Sequence, residues 1–107
     1  MTPENVSAVI DTVKGTVLPG ERIAMFNKAC AIDPHDTVVI EELSELIKAV
    51  SKINRCHNNE HLKSLMEEIA DVRIVIERIM RKYNIKEDDI DKLVVFKMNR
   101  FIDRYGI

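Results

Sequence analysis

The sequence predicts an all-α protein, an antiparallel bundle of about four to five helices that oligomerisation would complete. Apolar residues recur with helical spacing along most of the chain, and no segment alternates in the manner of a β-strand. The 107 residues include only three glycines and three prolines, too few for an architecture built on many turns. This length suits a single domain, residues 1–107.

The first third of the chain is expected to contain two short helices. Thr2 and Pro3 suit the N-cap and the first position of a helix. Residues 16–20 are predicted to be a connector because they end in a Pro-Gly pair, which favours a turn. A second helix is then expected over residues 21–32.

Three longer helices follow. Asp33 and Pro34 form a start signal, an N-cap followed by proline at the first helical position, and this helix is expected to end near Arg55. A turn that contains asparagines leads to a helix over about residues 60–83. The last helix is expected over about residues 86–104.

The composition argues against several functional classes. A net charge of −2 gives no reason to expect a nucleic-acid or membrane partner. Two cysteines are too few for a disulfide framework or a zinc site. The N-terminal segment lacks the features of a signal peptide, and no apolar run approaches the length of a membrane span. We therefore expect a cytoplasmic protein.

Two acidic pairs on consecutive predicted helices are the most informative feature. Glu42 and Glu45 are spaced i, i+3, as are Glu68 and Asp71, so each pair lies on one helix face. The two helices should be antiparallel neighbours, and the pairs are equally distant in sequence from the turn between them. Four carboxylates should therefore meet at the edge of the apolar arcs, which are predicted to comprise Val39, Leu43, Leu46, Val50 and Ile53, and Leu65, Val72, Ile76, Ile79 and Tyr83.

Four clustered carboxylates would repel one another in the absence of a cation. Two unit charges about 4 Å apart interact by roughly 4 kcal/mol at an effective dielectric constant near 20. Oxygen donors without histidine favour Mg²⁺, with Mn²⁺ as the other candidate, over iron or zinc. The alternative is a solvated acidic face, which either pair alone would favour.

The last predicted helix carries a basic stripe. Lys97, Arg100 and Arg104 follow i, i+3, i+7 spacing along one edge of its apolar arc. Beside a cluster of carboxylates and Mg²⁺, such groups would bind a polyphosphate. The alternative is that they interact favourably with the helix C-terminus and promote solubility.

The combined motif, Glu-Glu-x-x-Glu followed by Glu-x-x-Asp with 22 residues between Glu45 and Glu68, resembles that of a known family. It is similar to the MazG-like, all-α nucleoside triphosphate pyrophosphohydrolases, especially small phage and bacterial members. The stretches EELSELIKAVSKINR and HLKSLMEEIADVRIVIERIMRKYNI carry the resemblance, and the tail KMNRFIDRYGI resembles the closing basic helix of these members. The resemblance covers about residues 38–105. Residues 1–32 diverge, and we expect them to help build the base pocket or the oligomer.

The resemblance implies hydrolysis of a nucleoside triphosphate to the monophosphate and pyrophosphate, which would clear or adjust nucleotide pools. It also implies a homodimer or homotetramer. By the same resemblance Glu41 and Glu42 would be catalytic, with Glu41 holding a second ion or positioning the attacking water. Mg²⁺ would be bound by Glu42, Glu45, Glu68 and Asp71, and the phosphates by Lys97, Arg100 and, along the same stripe, Arg104.

Two alternatives stay open. Phosphoribosyl-ATP pyrophosphohydrolase shares the fold and the chemistry, although the chain contains no further segment typical of it. A non-catalytic helical assembly protein would carry the acidic pairs for solubility alone. That second alternative predicts no stabilisation by metal ions.

Overall fold

The computed structural model describes residues 18–106, which form four α-helices and, within that range, no strand. The helices are α1 (Pro19–Ile32), α2 (Thr37–Arg55), α3 (Asn59–Lys82) and α4 (Glu87–Tyr105). The predicted all-α class is confirmed for these residues, whereas the helix expected to follow Thr2 lies outside them. No helix in the described part of the chain is long and apolar enough to cross a membrane.

Helix α1 begins earlier than expected. Pro19 occupies its first turn and Gly20 lies inside it, so the predicted connector is wrong at these two residues. Proline suits this place because its fixed φ is helical and its missing N–H would have no partner there. The Arg22 N–H donates to the Leu18 carbonyl at 3.0 Å, which closes the first turn.

Helix α2 begins later than expected, at Thr37 rather than at Pro34. Asp33 still caps it, because its carboxylate accepts from the N–H groups of Thr37 and Val38 at 3.1 and 3.0 Å. Asp36 has a left-handed backbone with φ of 56°, which prevents the helix from continuing back toward Asp33. The start signal therefore identifies the capping residue but not the first helical residue.

The bounds of α3 and α4 follow the prediction closely. The Asn58 side chain accepts from the His61 N–H at 2.7 Å and caps α3. Asn84 adopts a left-handed φ of 53° between α3 and α4, where the interruption was expected. Gly106, with φ of 68°, ends α4 in the same way.

Helices α2 and α3 are joined by a short turn and pack against each other as antiparallel neighbours. We call the contact between them the α2–α3 seam. Its buried residues include Ala49 and Val75, neither of which was in the predicted arcs. Val39 and Val72 are buried as predicted, but the contact between the helices is shifted toward the edge of each arc that carries Glu42 or Glu68, and both of these are half-buried. Of the predicted arc residues, those left exposed are Leu43, Val50, Ile76 and Tyr83.

Helix α1 packs on α3 rather than on α2. Phe26 is buried there, with the Arg81 guanidinium 5.7 Å from its ring centroid. The Arg22 guanidinium grips Glu77 with two hydrogen bonds, of 3.0 Å from Nε and 2.6 Å from Nη2. This fork anchors α1 to the outer face of α3.

Helix α4 has no buried residue. It does not pack extensively on any other described helix. The Cα radius of gyration is 16.8 Å, against about 13 Å for a compact domain of about 100 residues. Helical spacing predicts an apolar arc on α4, and in the structure this arc is mostly exposed. Its exposed residues are Leu93, Val94, Met98, Phe101, Ile102 and Tyr105.

Candidate metal centre

Three of the four predicted metal ligands meet in the α2–α3 seam. Carboxylate oxygens of Glu42, Glu68 and Asp71 all lie within 4.8 Å of one another. The three side chains are half-buried, because Glu42 and Glu68 occupy seam positions and Asp71 follows Glu68 by one turn. We call these three residues the acidic cluster.

The charges of the acidic cluster are uncompensated among the described residues. None of the ion pairs found between residues 18 and 106 includes Glu42, Glu68 or Asp71. Burial raises the pKa of Glu42, and the neighbouring charges of Asp71, Glu68, Glu45 and Glu41 raise it further. A site of this kind favours a proton or a cation.

Glu68, the second carboxylate of the cluster, has a pKa that is raised in the same way. Burial, followed by the charges of Asp71, Glu45 and Glu67, raises the pKa of Glu68. Its Oε2 atom is buried and has no hydrogen-bond partner among the described residues. An unpaired buried acceptor costs about 1–3 kcal/mol. A cation bound by the cluster would provide this oxygen with a partner.

The donor set fits a hard divalent cation. All three groups offer carboxylate oxygens, and no histidine or cysteine of the described residues joins them. Mg²⁺ and Mn²⁺ prefer such oxygens, whereas zinc and iron sites usually include imidazole or thiolate. The cluster could therefore hold such a cation, and the identity of the cation stays a prediction.

The other two predicted acids lie beside the cluster rather than within it. The Oε1 atom of Glu45 is 3.2 Å from the Lys48 Nζ, and this carboxylate is not one of the three that meet. Its charge nevertheless raises the pKa of both Glu42 and Glu68, after the effect of burial. Glu41 is exposed, and its carbonyl accepts from the Ser44 hydroxyl at 2.7 Å.

The basic stripe lies apart from the acidic cluster within one chain. Lys97, Arg100 and Arg104 line an open cavity of about 650 Å³, together with Phe101 and Asp103. All five residues lie on α4, which does not pack extensively on α2 or α3. The role of the stripe in binding phosphate stays a prediction.

Sequence reasoning missed a buried network at the far end of the seam. Arg78 is only 4% exposed, and its Nη2 donates to the Asp33 carbonyl oxygen at 2.7 Å and to the Asp33 carboxylate at 3.2 Å. The same nitrogen lies 3.4 Å from Asp36 Oδ1, and Lys82 Nζ donates to Asp36 Oδ2 at 2.8 Å. We call Asp33, Asp36, Arg78 and Lys82 the Arg78 clamp.

The clamp could have been found from helical spacing. Arg78 follows Val72 and Val75 at intervals of three residues, so it continues the row of buried side chains on α3. A charge in such a row requires a buried partner.

Hydrogen bonds from the Thr37 hydroxyl, the Val38 N–H and Arg78 hold the pKa of Asp33 far below its usual value.

Comparison with known proteins gives no family assignment. No protein-family model, curated protein or solved structure matches this chain at a significant level. The resemblance to MazG-like enzymes therefore rests on the motif residues, and the case for a function rests on the chemistry of the acidic cluster.

Proposed function

We propose that this protein is a Mg²⁺-dependent nucleoside triphosphate pyrophosphohydrolase that can also use Mn²⁺. The observation that carries the proposal is the half-buried acidic cluster, in which one buried Glu68 oxygen has no partner among the described residues. The cluster arises from the two halves of the motif that resembles the MazG-like enzymes. A solvated face explains neither the burial nor the unpaired oxygen.

The acidic cluster would hold the cation, and Glu45 would be a fourth ligand on release of Lys48. The chemistry that Mg²⁺ supplies when bound is neutralisation of phosphate charge and a lower pKa for a water at the site. The seam fixes Glu42, Glu68 and Asp71 on two packed helices, so the polyphosphate would meet a site that needs little rearrangement.

Glu41 is the best-placed general base. It is exposed beside the cluster, so it can orient a water and accept its proton. The water oxygen would form a bond to the α-phosphorus as the bond to the α,β-bridging oxygen breaks. Pyrophosphate then leaves with that electron pair, and the other product is the nucleoside monophosphate. No covalent enzyme intermediate is required.

The proposal is tested by release of pyrophosphate from a panel of canonical and modified nucleoside triphosphates with Mg²⁺, Mn²⁺ or EDTA. Glu68→Gln should reduce turnover at least about 100-fold, because even groups that only support metal ligands are worth about 10–100-fold. Glu67→Gln is the matched control, since it removes the same charge from an exposed neighbour. Full activity in Glu68→Gln would reject the site.

Other outcomes select the alternatives. Activity on phosphoribosyl-ATP without activity on nucleoside triphosphates would assign the second enzyme. Absence of both activities, together with absence of Mn²⁺ binding, would favour the helical assembly protein.

We also propose that a second copy of the chain covers α4 in a homodimer or homotetramer. An exposed apolar arc on a helix that lacks extensive packing is typical of an interface. Such an assembly offers one route for the basic stripe of one subunit to approach the acidic cluster of another.

Light scattering tests this assembly against the subunit mass of 12.3 kDa. Leu93→Glu places a charge on the apolar arc and should weaken association at least about tenfold, equivalent to about 1.4 kcal/mol. Asn99→Glu lies outside the predicted arc and is the control. A monomeric wild-type protein at micromolar concentration would reject the assembly.

A further inference from the structure

The two ends of the α2–α3 seam are closed by different means. At one end the short turn between Arg55 and Asn59 joins the helices covalently. At the other end the Arg78 clamp holds them together. The acidic cluster lies between these two closures.

We infer that Arg78 is a positioning residue that sets the separation of Glu42 from Glu68 and Asp71. The inference rests on the proposed function only in taking the acidic cluster as a cation site. Arg78 itself belongs to α3, and it acts on α2 through Asp33 and Asp36.

The contacts of Arg78 reach the first turn of α2 through a short path. Its guanidinium holds both the carbonyl and the carboxylate of Asp33. That carboxylate in turn accepts from the N–H groups of Thr37 and Val38, the first residues of α2. A shift of Arg78 would therefore move the start of α2.

The clamp is close enough to control the cluster. Asp36 precedes Glu42 by about 9 Å of helix rise, and Arg78 follows Asp71 by about 10 Å. A helix is stiff over about two turns, so a displacement at the start of α2 is carried to Glu42. Because Arg78 is buried and the contacts it makes are direct, the clamp itself has little freedom to adjust.

The cluster requires such a restraint because its own charges push α2 and α3 apart. The apolar packing of the seam opposes them only in part, since its buried apolar side chains include small ones such as Ala49 and Val75. Without the clamp the carboxylates would spend part of their time too far apart to share a cation. The apparent cation affinity would fall in proportion to the fraction that remains correctly spaced.

The test uses Mn²⁺ alone as the probe, with binding measured by the electron paramagnetic resonance signal of the free ion. Arg78→Lys keeps the charge, but it shortens the side chain and replaces the rigid guanidinium, whose Nη2 makes all the contacts with Asp33 and Asp36, by a flexible ammonium group. Asp36→Asn is a milder second variant, because asparagine tolerates the left-handed backbone and retains a polar side chain. Arg22→Lys is the matched control, since it makes the same substitution in the fork between α1 and α3.

Arg78→Lys should bind Mn²⁺ about tenfold more weakly than the wild-type protein, which corresponds to a correctly spaced fraction of about one tenth. Asp36→Asn should show a smaller loss in the same direction, and Arg22→Lys should remain within about twofold. Circular dichroism at the same temperature verifies that each variant is folded. Wild-type affinity in folded Arg78→Lys and Asp36→Asn would overturn the inference.

A metal-free measurement provides a readout that does not depend on the cation. If the clamp opposes repulsion in the cluster, Arg78→Lys should lower the melting temperature less in a Glu68→Gln background than in the wild-type protein. Equal losses in the two backgrounds would overturn the inference.

The two proposals fail separately. If Arg78→Lys weakens Mn²⁺ binding but no triphosphate is hydrolysed, the positioning role stands and the proposed function falls. If triphosphates are hydrolysed and Arg78→Lys binds Mn²⁺ normally, the function stands and the positioning role falls.

Discussion

The acidic cluster and the Arg78 clamp lie on the same helix–helix seam but differ in whether their charges are compensated by opposite charges. In the clamp, Arg78 and Lys82 face Asp33 and Asp36 at hydrogen-bonding distance. In the cluster, three carboxylates face one another, and one oxygen of Glu68 is buried without a partner among the described residues. Arg78 Nε is likewise buried without a hydrogen-bond partner among the described residues, but the Arg78 guanidinium faces two carboxylates, whereas no ion pair among the described residues includes Glu68. A fold keeps buried charges when opposite charges compensate them, so the uncompensated charge of the cluster points to a cation from outside the chain.

The pKa shifts of the two regions differ in the same way. Hydrogen bonds from the Thr37 hydroxyl and other donors lower the pKa of Asp33, which stabilises its charged form in the fold. Burial and acidic neighbours raise the pKa of Glu42 and of Glu68, which destabilises their charged forms. The clamp thus supports the structure, whereas the cluster is a strained arrangement that a cation would relieve.

The largest expected effect comes from removing the centre of the clamp. Arg78→Met should lower the free energy of unfolding by about 3 kcal/mol, because it leaves Asp33 and Asp36 without their buried partner. Urea denaturation at neutral pH with EDTA measures this change. Arg22→Met removes a more exposed fork and should lower the unfolding free energy much less. Equal effects of the two substitutions would show that the buried clamp stabilises the fold no more than the surface ion pair does.

Much of the fold could be predicted because its signals are local. Asn58 and Asn84 mark the two ends of α3 through a cap and a left-handed turn, and both act within a few residues. The start of α2 was missed because Asp36 is held in its left-handed conformation by Lys82 and Arg78, which are distant in sequence. Residues that contact one another across the fold leave no local pattern to read.

The packing face shows the same limit. Periodicity identifies a broad apolar stripe on each helix but does not decide which edge of it meets the neighbour. Leu43 and Val50 are larger than Ala49, and Ile76 is larger than Val75. The prediction therefore placed the larger residues in the contact between the helices, and this was wrong. The structure buries the smaller residues and leaves the larger ones exposed.

The site was predictable where spacing alone determines it. The i, i+3 pairs and their equal distance from the turn predicted that Glu42 would meet Glu68 and Asp71. Spacing could not predict that Glu45 turns to Lys48, because a side-chain rotamer decides this contact. Nor could it place the basic stripe of α4 relative to the cluster, since that depends on how whole helices pack.

A smaller effect should appear in the pH dependence of the metal-free protein. Glu42 and Glu68 have folded-state pKa values above the ordinary 4.5, owing first to burial, so they bind protons more tightly when folded. Stability should therefore rise as the pH falls from 7 through these raised values toward 4.5. Thermal melts in EDTA at several pH values measure this gain, since each kcal/mol corresponds to about 4–8 °C in melting temperature for a domain of this size.

The clamp and the α1 fork should produce the opposite slope at lower pH. The pKa of Asp33 lies below its ordinary 3.8, because of its hydrogen bonds from Thr37 and Val38. That of Glu77 lies below 4.5, chiefly because of the Arg22 hydrogen bonds. Their stabilisation is complete above those ordinary values and is lost as the pH falls below them. The melting temperature of the protein in EDTA should therefore pass through a maximum at about pH 4.5.

Substitution within the cluster separates the two limbs of this curve. The double variant Glu42→Gln/Glu68→Gln has no raised carboxylate to titrate at those positions, so its melting temperature should stay level between about pH 7 and pH 5. The acid limb below that range should remain, because Asp33 and Glu77 are unchanged. A double variant that retains the wild-type rise would show that the strain lies elsewhere. If the melting temperature stays constant between these pH values in the variant but not in the wild-type protein, the charges of Glu42 and Glu68 destabilise the metal-free fold. The proposed cation site requires this result.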